Sequence, residues 1–309
     1  MPGPFLTIDL PDETATAELG EDLAAILAVG DVVALSGDLG AGKTALARAT
    51  LRAALDDDGL EVPSPTFTIV QTYEGARFPL AHFDLYRLAD ASELDEIGFD
   101  EARTDGAVLI EWPERAEGNL PVGAVRLALA EVADPEAREM EIDGPEGFMA
   151  RLQRSLAMRA FLETSGWGGA NRQFLLGDAS TRAYEIVHRN GETAILMNAP
   201  KRPDGPPVRD GKPYSQIAHL AEDVLPFVAI GKELKKRGFR APEIFAFDLD
   251  SGFVLLENLG SGSVIDDNRA PIAERYEASI ECLAAMHGVG WPRDMTVGGR
   301  PYRVPDFDL

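Results

Sequence analysis

The sequence predicts an α/β unit with a partly parallel sheet over residues 1–150, followed by a smaller α+β unit over residues 156–309. Two apolar runs, Val32-Val33-Ala34-Leu35 and Ala107-Val108-Leu109-Ile110, read as strands buried on both faces, and helical stretches lie between them. The second half opens instead on closely spaced strand runs, two of them joined by Asn190-Gly191, a strong hairpin signal. Charge divides at the same place. Residues 1–150 hold nine lysines and arginines against 31 acids, and residues 151–309 hold 20 against 21, within a chain of net charge −23. Such asymmetry points to two units of separate origin.

Residues 19–29 read as a short amphipathic helix with Leu23, Ile26 and Leu27 on one face. Gly30-Asp31 turns the chain into the strand at 32–35, and the glycine-rich segment 36–42 follows. Residues 43–55 are rich in Ala, Leu and Arg and predict a helix, ended by Asp56-Asp57-Asp58-Gly59. Pro63-Ser64-Pro65-Thr66 predicts a rigid loop, because each proline fixes its own φ and restricts the residue before it. Strands are expected over 67–73, 79–85, 107–110, 122–132 and 138–142. A helix over 148–162 is broken by Ser165-Gly166-Trp167-Gly168-Gly169, and the unit boundary falls in or just before it. Beyond lie strands at 173–176, 183–188 and 193–197, and a loop dense in Pro, Gly and charge at 198–213. One long helix, or two divided near Pro226, is expected over 220–237, then a strand over 253–256 and a helix over 272–287.

Composition narrows the function. No apolar run approaches the roughly 18 residues of a membrane-spanning helix, and Met1-Pro2-Gly3-Pro4 lacks the basic start of a secretory signal. Cys282, the single cysteine, excludes an internal disulfide framework, so a cytoplasmic protein is expected. The acidic first half argues against gripping RNA directly, since phosphate-backbone binding needs clustered Lys and Arg. Any nucleic acid would be held by a partner.

Gly37-Asp38-Leu39-Gly40-Ala41-Gly42-Lys43-Thr44 matches G-x-x-x-x-G-K-[ST] between an apolar strand and a helix, the setting of a phosphate-binding P-loop. Backbone N–H groups must wrap phosphates, which needs glycine's torsional freedom, and the helix N-terminus adds partial positive charge. ATP with Mg2+ is the expected ligand: Lys43 reaches the β- and γ-phosphates, and the Thr44 hydroxyl ligates the metal. Such a site also needs carboxylates for the metal and the attacking water. Asp84 and Glu111 each end an apolar strand, where ligands bind in open α/β sheets, although a solvated acid is the plain alternative in so acidic a half. Trp112 is either core or a platform for a base. His82 reads as a packed or hydrogen-bonded histidine.

Together, the P-loop, Pro63-Ser64-Pro65-Thr66-Phe67-Thr68, His82-Phe83-Asp84-Leu85-Tyr86-Arg87, Glu96-Ile97-Gly98 and Ile110-Glu111-Trp112-Pro113-Glu114-Arg115 resemble the TsaE family of tRNA threonylcarbamoyladenosine biosynthesis, over roughly residues 5–145. The resemblance implies a weak P-loop ATPase that works with TsaD and TsaB. It implies that Thr44 and Glu111 hold magnesium, that Lys43 holds phosphate, and that Asp84 is needed for hydrolysis. Ser64 and Thr66 would belong to a switch-like segment near the γ-phosphate.

In the second half, Gly177-Asp178-Ala179-Ser180-Thr181-Arg182-Ala183-Tyr184, Ile195-Leu196-Met197-Asn198-Ala199-Pro200, Phe253-Val254-Leu255-Leu256-Glu257-Asn258-Leu259-Gly260 and Met286-His287 resemble the aminoglycoside-phosphotransferase-like kinases, specifically the sugar kinase AmgK. The resemblance implies a kinase N-terminal lobe over roughly 156–309, with a hinge at 257–259. The strand over 194–197 carries no lysine, and no catalytic Asp with a downstream Asn follows residue 260. An incomplete lobe without kinase activity is therefore expected. Two other readings stand beside the ATPase: a small-molecule kinase built on the P-loop, and a module that senses a nucleotide or sugar without turnover.

Overall fold

The computed structural model describes residues 5–75, 77–116, 118–175, 182–201, 203–218 and 220–306. It divides into two compact units, Met1–Ala160 and Phe161–Leu309.

In the first unit the strands are β1 (Phe5–Leu10), β2 (Val32–Ser36), β3 (Val70–Tyr73), β4 (Leu80–Asp84), β5 (Ala107–Glu111), β6 (Val125–Glu131) and β7 (Arg138–Asp143). The helices are α1 (Glu13–Ile26), α2 (Lys43–Leu55), α3 (Glu93–Glu96), α4 (Phe99–Asp105) and α5 (Glu146–Leu162). The seven strands form one mixed sheet in the order β1-β7-β6-β2-β5-β4-β3. β2 runs parallel to β5 and β6, and β4 parallel to β5, while β1–β7, β6–β7 and β3–β4 are antiparallel. This is the P-loop type of α/β domain with a mixed sheet.

The apolar runs behave as their composition requires. β4 and β5 are buried at every residue and β2 at four of its five, so the centre of the sheet is covered on both faces. Alternation splits the core. Val33, Leu35 and Leu109 face α1, α2 and α5 through Leu23, Leu46, Leu51 and Leu152, whereas Val32, Phe83, Val108 and Ile110 face Leu94 and Phe99 of α3 and α4. Full burial of each leucine contributes roughly 2 kcal/mol.

Several sequence expectations are corrected here. α1 begins at Glu13 rather than residue 19, because Asp12 caps it: its Oδ1 accepts from the Ala15 N–H at 2.8 Å. The strand expected over 67–73 starts only at Val70, since Pro65 O accepts from Ile69 N–H at 2.6 Å and Ile69 sits at φ 67°. The strand expected over 122–132 is confined to Val125–Glu131. β1, α3 and α4 were not expected; the two helices are four and seven residues long, too short to display a period.

In the second unit, β8 (Asn171–Leu175), β9 (Ala183–Arg189), β10 (Glu192–Asn198), β13 (Ile244–Asp248) and β14 (Phe253–Glu257) form an antiparallel sheet in the order β13-β14-β10-β9-β8. Asn190 and Gly191 turn β9 into β10 at φ 49° and 80°, as a tight hairpin demands. The loop expected over 198–213 contains a small hairpin, β11 (Pro207–Arg209) with β12 (Lys212–Pro213), turned by Asp210-Gly211 at φ 51° and 73°. A short α6 (Tyr214–Ile217) follows. The helix expected over 220–237 is the single α7 (Leu225–Lys236), with Pro226 in its first turn, where proline's missing N–H costs nothing. α8 (Ala273–His287) matches its expectation to one residue, and β15 (Asp294–Val297) pairs with β16 (Arg300–Arg303), a hairpin not anticipated. Met197, Val228, Val254 and Val297 centre this unit's core. Residues 177–181, quoted for the kinase resemblance, lie outside the described residues.

Candidate functional site

The sheet order decides the site. β2, β5 and β4 are adjacent and parallel, so their C-terminal ends deliver the glycine-rich loop, Glu111 and Asp84 to one edge. Leu35 is level with Glu111, and Glu111 with Asp84. Between them opens a cleft of about 470 Å³ lined by Leu39, Gly40, Gly42, Lys43, Thr44, Ala45, Ser64, Thr66, Asp84, Tyr86, Glu111 and Trp112.

Two glycines make the loop possible. Gly37 has φ 138°, and a Cβ there would stand 2.5 Å from the Leu129 carbonyl oxygen. Gly42 precedes α2 at φ 110° and supplies no side-chain cap, so the first-turn N–H groups of the helix remain available to an anion. Ala41 is fully buried behind the loop, and Leu39 is 83% exposed at its tip.

Lys43 is buried, and its Nζ donates to the Gly37 and Asp38 carbonyls at 2.7 and 2.8 Å while lying 3.8 Å above the Trp112 ring. Burial lowers its pKa below the ordinary 10.5, against the opposing pull of Glu111, Glu114, Asp84 and Asp38. Trp112 holds φ 60°, a left-handed conformation that a tryptophan adopts only at a cost, and Tyr86 packs against its ring at 5.1 Å.

The carboxylates carry different partners. Glu111 accepts from Thr44 Oγ1 at 2.7 Å and meets His82 Nε2 at 2.9 Å. Asp84 accepts through Oδ2 from the Ser64 hydroxyl and from Thr66 Oγ1 (2.9 Å), and through Oδ1 from the Tyr86 N–H at 3.0 Å. The two strand-end acids are therefore both buried and both bound to the loops that expectation assigned to the site, which the alternative of solvated acids does not describe. Phe67, 82% exposed, lies under the Arg87 guanidinium at 4.3 Å.

Thr44 and Glu111 offer hard oxygen donors on adjacent elements, the donor type magnesium takes. Among the described residues no group of three or more His, Cys, Asp or Glu side chains could hold a metal unaided. A magnesium site completed by phosphate oxygens fits that donor set, because this ion is commonly held by one or two carboxylates plus the nucleotide. Tyr86 and Ala45 line the cleft without having been singled out. Tyr86 stands two residues beyond the strand end, where its N–H donates to Asp84 and its ring packs on Trp112.

Comparison with known proteins follows the same division. The family model "Threonylcarbamoyl adenosine biosynthesis protein TsaE" matches residues 10–140. A curated relative named "tRNA threonylcarbamoyladenosine biosynthesis protein TsaE", from Haemophilus influenzae, is 44% identical over 122 residues, which are 38% of this chain and 76% of that protein. The chain belongs to the TsaE family. The relative of the same name from Rickettsia conorii is 42% identical over 105 residues, 34% of this chain and 59% of its own length. For the remainder of the chain the likeness is to a different protein, the "N-acetylmuramate/N-acetylglucosamine kinase" of Caulobacter vibrioides, 35% identical over 172 residues. Those residues are 50% of this chain and 46% of the kinase, so the chain spans about half the length of that relative. No described helix is long and apolar enough to cross a membrane.

Proposed function

We propose that the TsaE-like unit, residues 1–150, binds and slowly hydrolyses ATP with Mg2+ in threonylcarbamoyladenosine modification of tRNA. In this reading it works in the cytoplasm beside TsaD- and TsaB-type partners that hold the tRNA. The observation that carries the reading is the convergence of Lys43, Thr44, Glu111 and Asp84 at the ends of three adjacent parallel strands.

Gly37, Asp38, Leu39, Gly40, Ala41 and Gly42 cradle the phosphates through their backbone, and Lys43 leaves the Gly37 and Asp38 carbonyls for the β- and γ-phosphate oxygens. Thr44 and Glu111 hold magnesium, which when bound neutralises charge developing on the phosphates. Asp84 orients the attacking water and draws its proton. Asp84 Oδ2 already accepts from both Ser64 and Thr66, whereas Oδ1 accepts only from the Tyr86 N–H and keeps an acceptor site for water; the bonds on Oδ2 fix that carboxylate and so couple the segment at 64–68 to hydrolysis. Trp112, freed from Lys43, offers its ring to the nucleotide.

Residues 156–309 are proposed to form a kinase-like N-terminal lobe without phosphoryl transfer of its own, since β10 carries no lysine. A cleft of about 290 Å³ bordered by Arg182, Pro200, Asp204, Tyr214 and Glu222 supports a ligand-binding role for it. A rise in its melting temperature with N-acetylmuramic acid, without product, is the expected sign.

The test of the main reading is nucleoside mass spectrometry of bulk tRNA in a bacterium depleted of its own TsaE, with cognate partners supplied. The parent chain is expected to restore threonylcarbamoyladenosine and Lys43→Ala to leave it depleted. Failure of a soluble, ATP-binding parent would discard the tRNA reading and bring forward a small-molecule kinase.

A further inference from the structure

We propose that His82 is a positioning residue for the metal site, holding Glu111 in the rotamer that meets Thr44. The proposal rests on the reading that Glu111 holds magnesium. His82 lies in the middle of β4 with no solvent exposure, and its Nε2 is 2.9 Å from Glu111 Oε1. The other oxygen of Glu111 accepts from Thr44 Oγ1 at 2.7 Å. A carboxylate only accepts, so Nε2 carries the hydrogen and the chain runs His82 to Glu111 to Thr44 through one carboxylate.

His82 is a costly residue for this place. Its Nδ1 is buried without a hydrogen-bond partner among the described residues, although buried polar atoms are nearly always paired. On its own face of the sheet stand Leu80, two residues before it, and Leu109, level with it on β5, both buried and apolar, so a leucine would suit the packing without leaving a polar atom unpaired. What an apolar side chain cannot supply is a donor directed at Glu111. Without it, a buried carboxylate keeps a single side-chain donor, Thr44, whose hydroxyl the metal also needs, and its orientation is left to swing. Groups that hold a metal's ligands commonly matter tenfold or more to metal affinity.

The experiment measures mant-ADP affinity of the full chain by fluorescence, in Mg2+ and in EDTA, for the parent, His82→Gln, His82→Asn and His82→Leu. Glutamine can place an amide N–H where Nε2 stands; asparagine is too short, and leucine has none. The gain in affinity that Mg2+ confers is expected to stay within about twofold of the parent in His82→Gln and to fall about tenfold in His82→Asn and His82→Leu. Affinity in EDTA should be unchanged in all of them, which a merely structural role would not produce. The proposal is overturned if His82→Asn keeps the gain, if His82→Gln loses it equally, or if the affinity in EDTA falls in parallel. A thermal scan checks folding, and should His82→Leu not fold, the Gln and Asn pair decides. A parent that shows no gain with Mg2+ overturns the metal reading of Glu111 and this proposal with it, whereas a parent gain retained by His82→Asn removes only the role of His82.

Discussion

In the first unit Lys43, His82, Asp84 and Glu111 are each at most 4% exposed; Lys43, Asp84 and Glu111 line one cleft, and His82 bonds Glu111 from behind. The second unit also buries charge, and there Arg172 and Glu185 form a two-pronged ion pair at 2.7 and 2.9 Å. Its α8 has no buried residue at all, with Tyr276, Ile280 and Leu283 exposed. Burying a polar group costs free energy unless it is paired. In that pair each buried charge is answered by the other within the fold. Lys43 resting on loop carbonyls beside an open cleft, and a histidine half-paired behind a carboxylate, form the arrangement that the proposed ATP and magnesium would use. The contrast is between buried charge gathered at a cleft and buried charge paired inside a unit.

The sharpest way to break the contrast is to remove the acid without removing its shape. Asp84→Asn is expected to lower single-turnover ATP hydrolysis about 1000-fold, the scale of a lost general base, while mant-ATP affinity changes only a few fold. Equal losses in both would reduce Asp84 to a structural anchor for Ser64 and Thr66. Next comes packing. Leu46→Ala, at a position with no exposure, should destabilise the first unit by about 3 kcal/mol in urea unfolding, whereas Ile280→Ala, 65% exposed on α8, should change the second by less than about 0.5 kcal/mol. A large effect at Ile280 would mean that α8 is covered in solution.

Lys43→Ala should weaken ATP binding about 100-fold, since it removes a charge-assisted contact to phosphate, with circular dichroism unchanged. The smallest effect is a proton. Burial lowers the Lys43 pKa below 10.5 in the free protein, and phosphate raises it again on binding. Between the lowered value and the ordinary one, the bound state holds more protons. ATP binding is therefore expected to take up a fraction of a proton as pH rises towards 10.5, read by calorimetry in buffers of different ionisation enthalpy, and affinity should decline over that window. Lys43→Arg should lose the uptake.

Reading along the chain found the loop, because a phosphate cradle is local: eight consecutive residues and the strand and helix around them state it. α2 was foreseen to the residue for the same reason. β1 was missed although Leu6, Ile8 and Leu10 alternate, because an edge strand of six residues at a chain end is defined mainly by its partner β7. The early start of α1 was missed because Glu13 to Leu19 show no apolar period, and its onset depends on the Asp12 cap.

By itself, then, the sequence determined that two units of unlike class follow one another, and that the first ends a buried strand in a phosphate-binding loop. The alternation of apolar runs and the torsional needs of glycine suffice for that. Only the tertiary structure decided that Glu111, 67 residues from Thr44, meets its hydroxyl, and that His82, 29 residues before Glu111, stands behind it. The physical reason is the strand order β2-β5-β4: parallel neighbours are separated in sequence by whole crossovers, so their side chains become partners through register across the sheet rather than spacing along the chain.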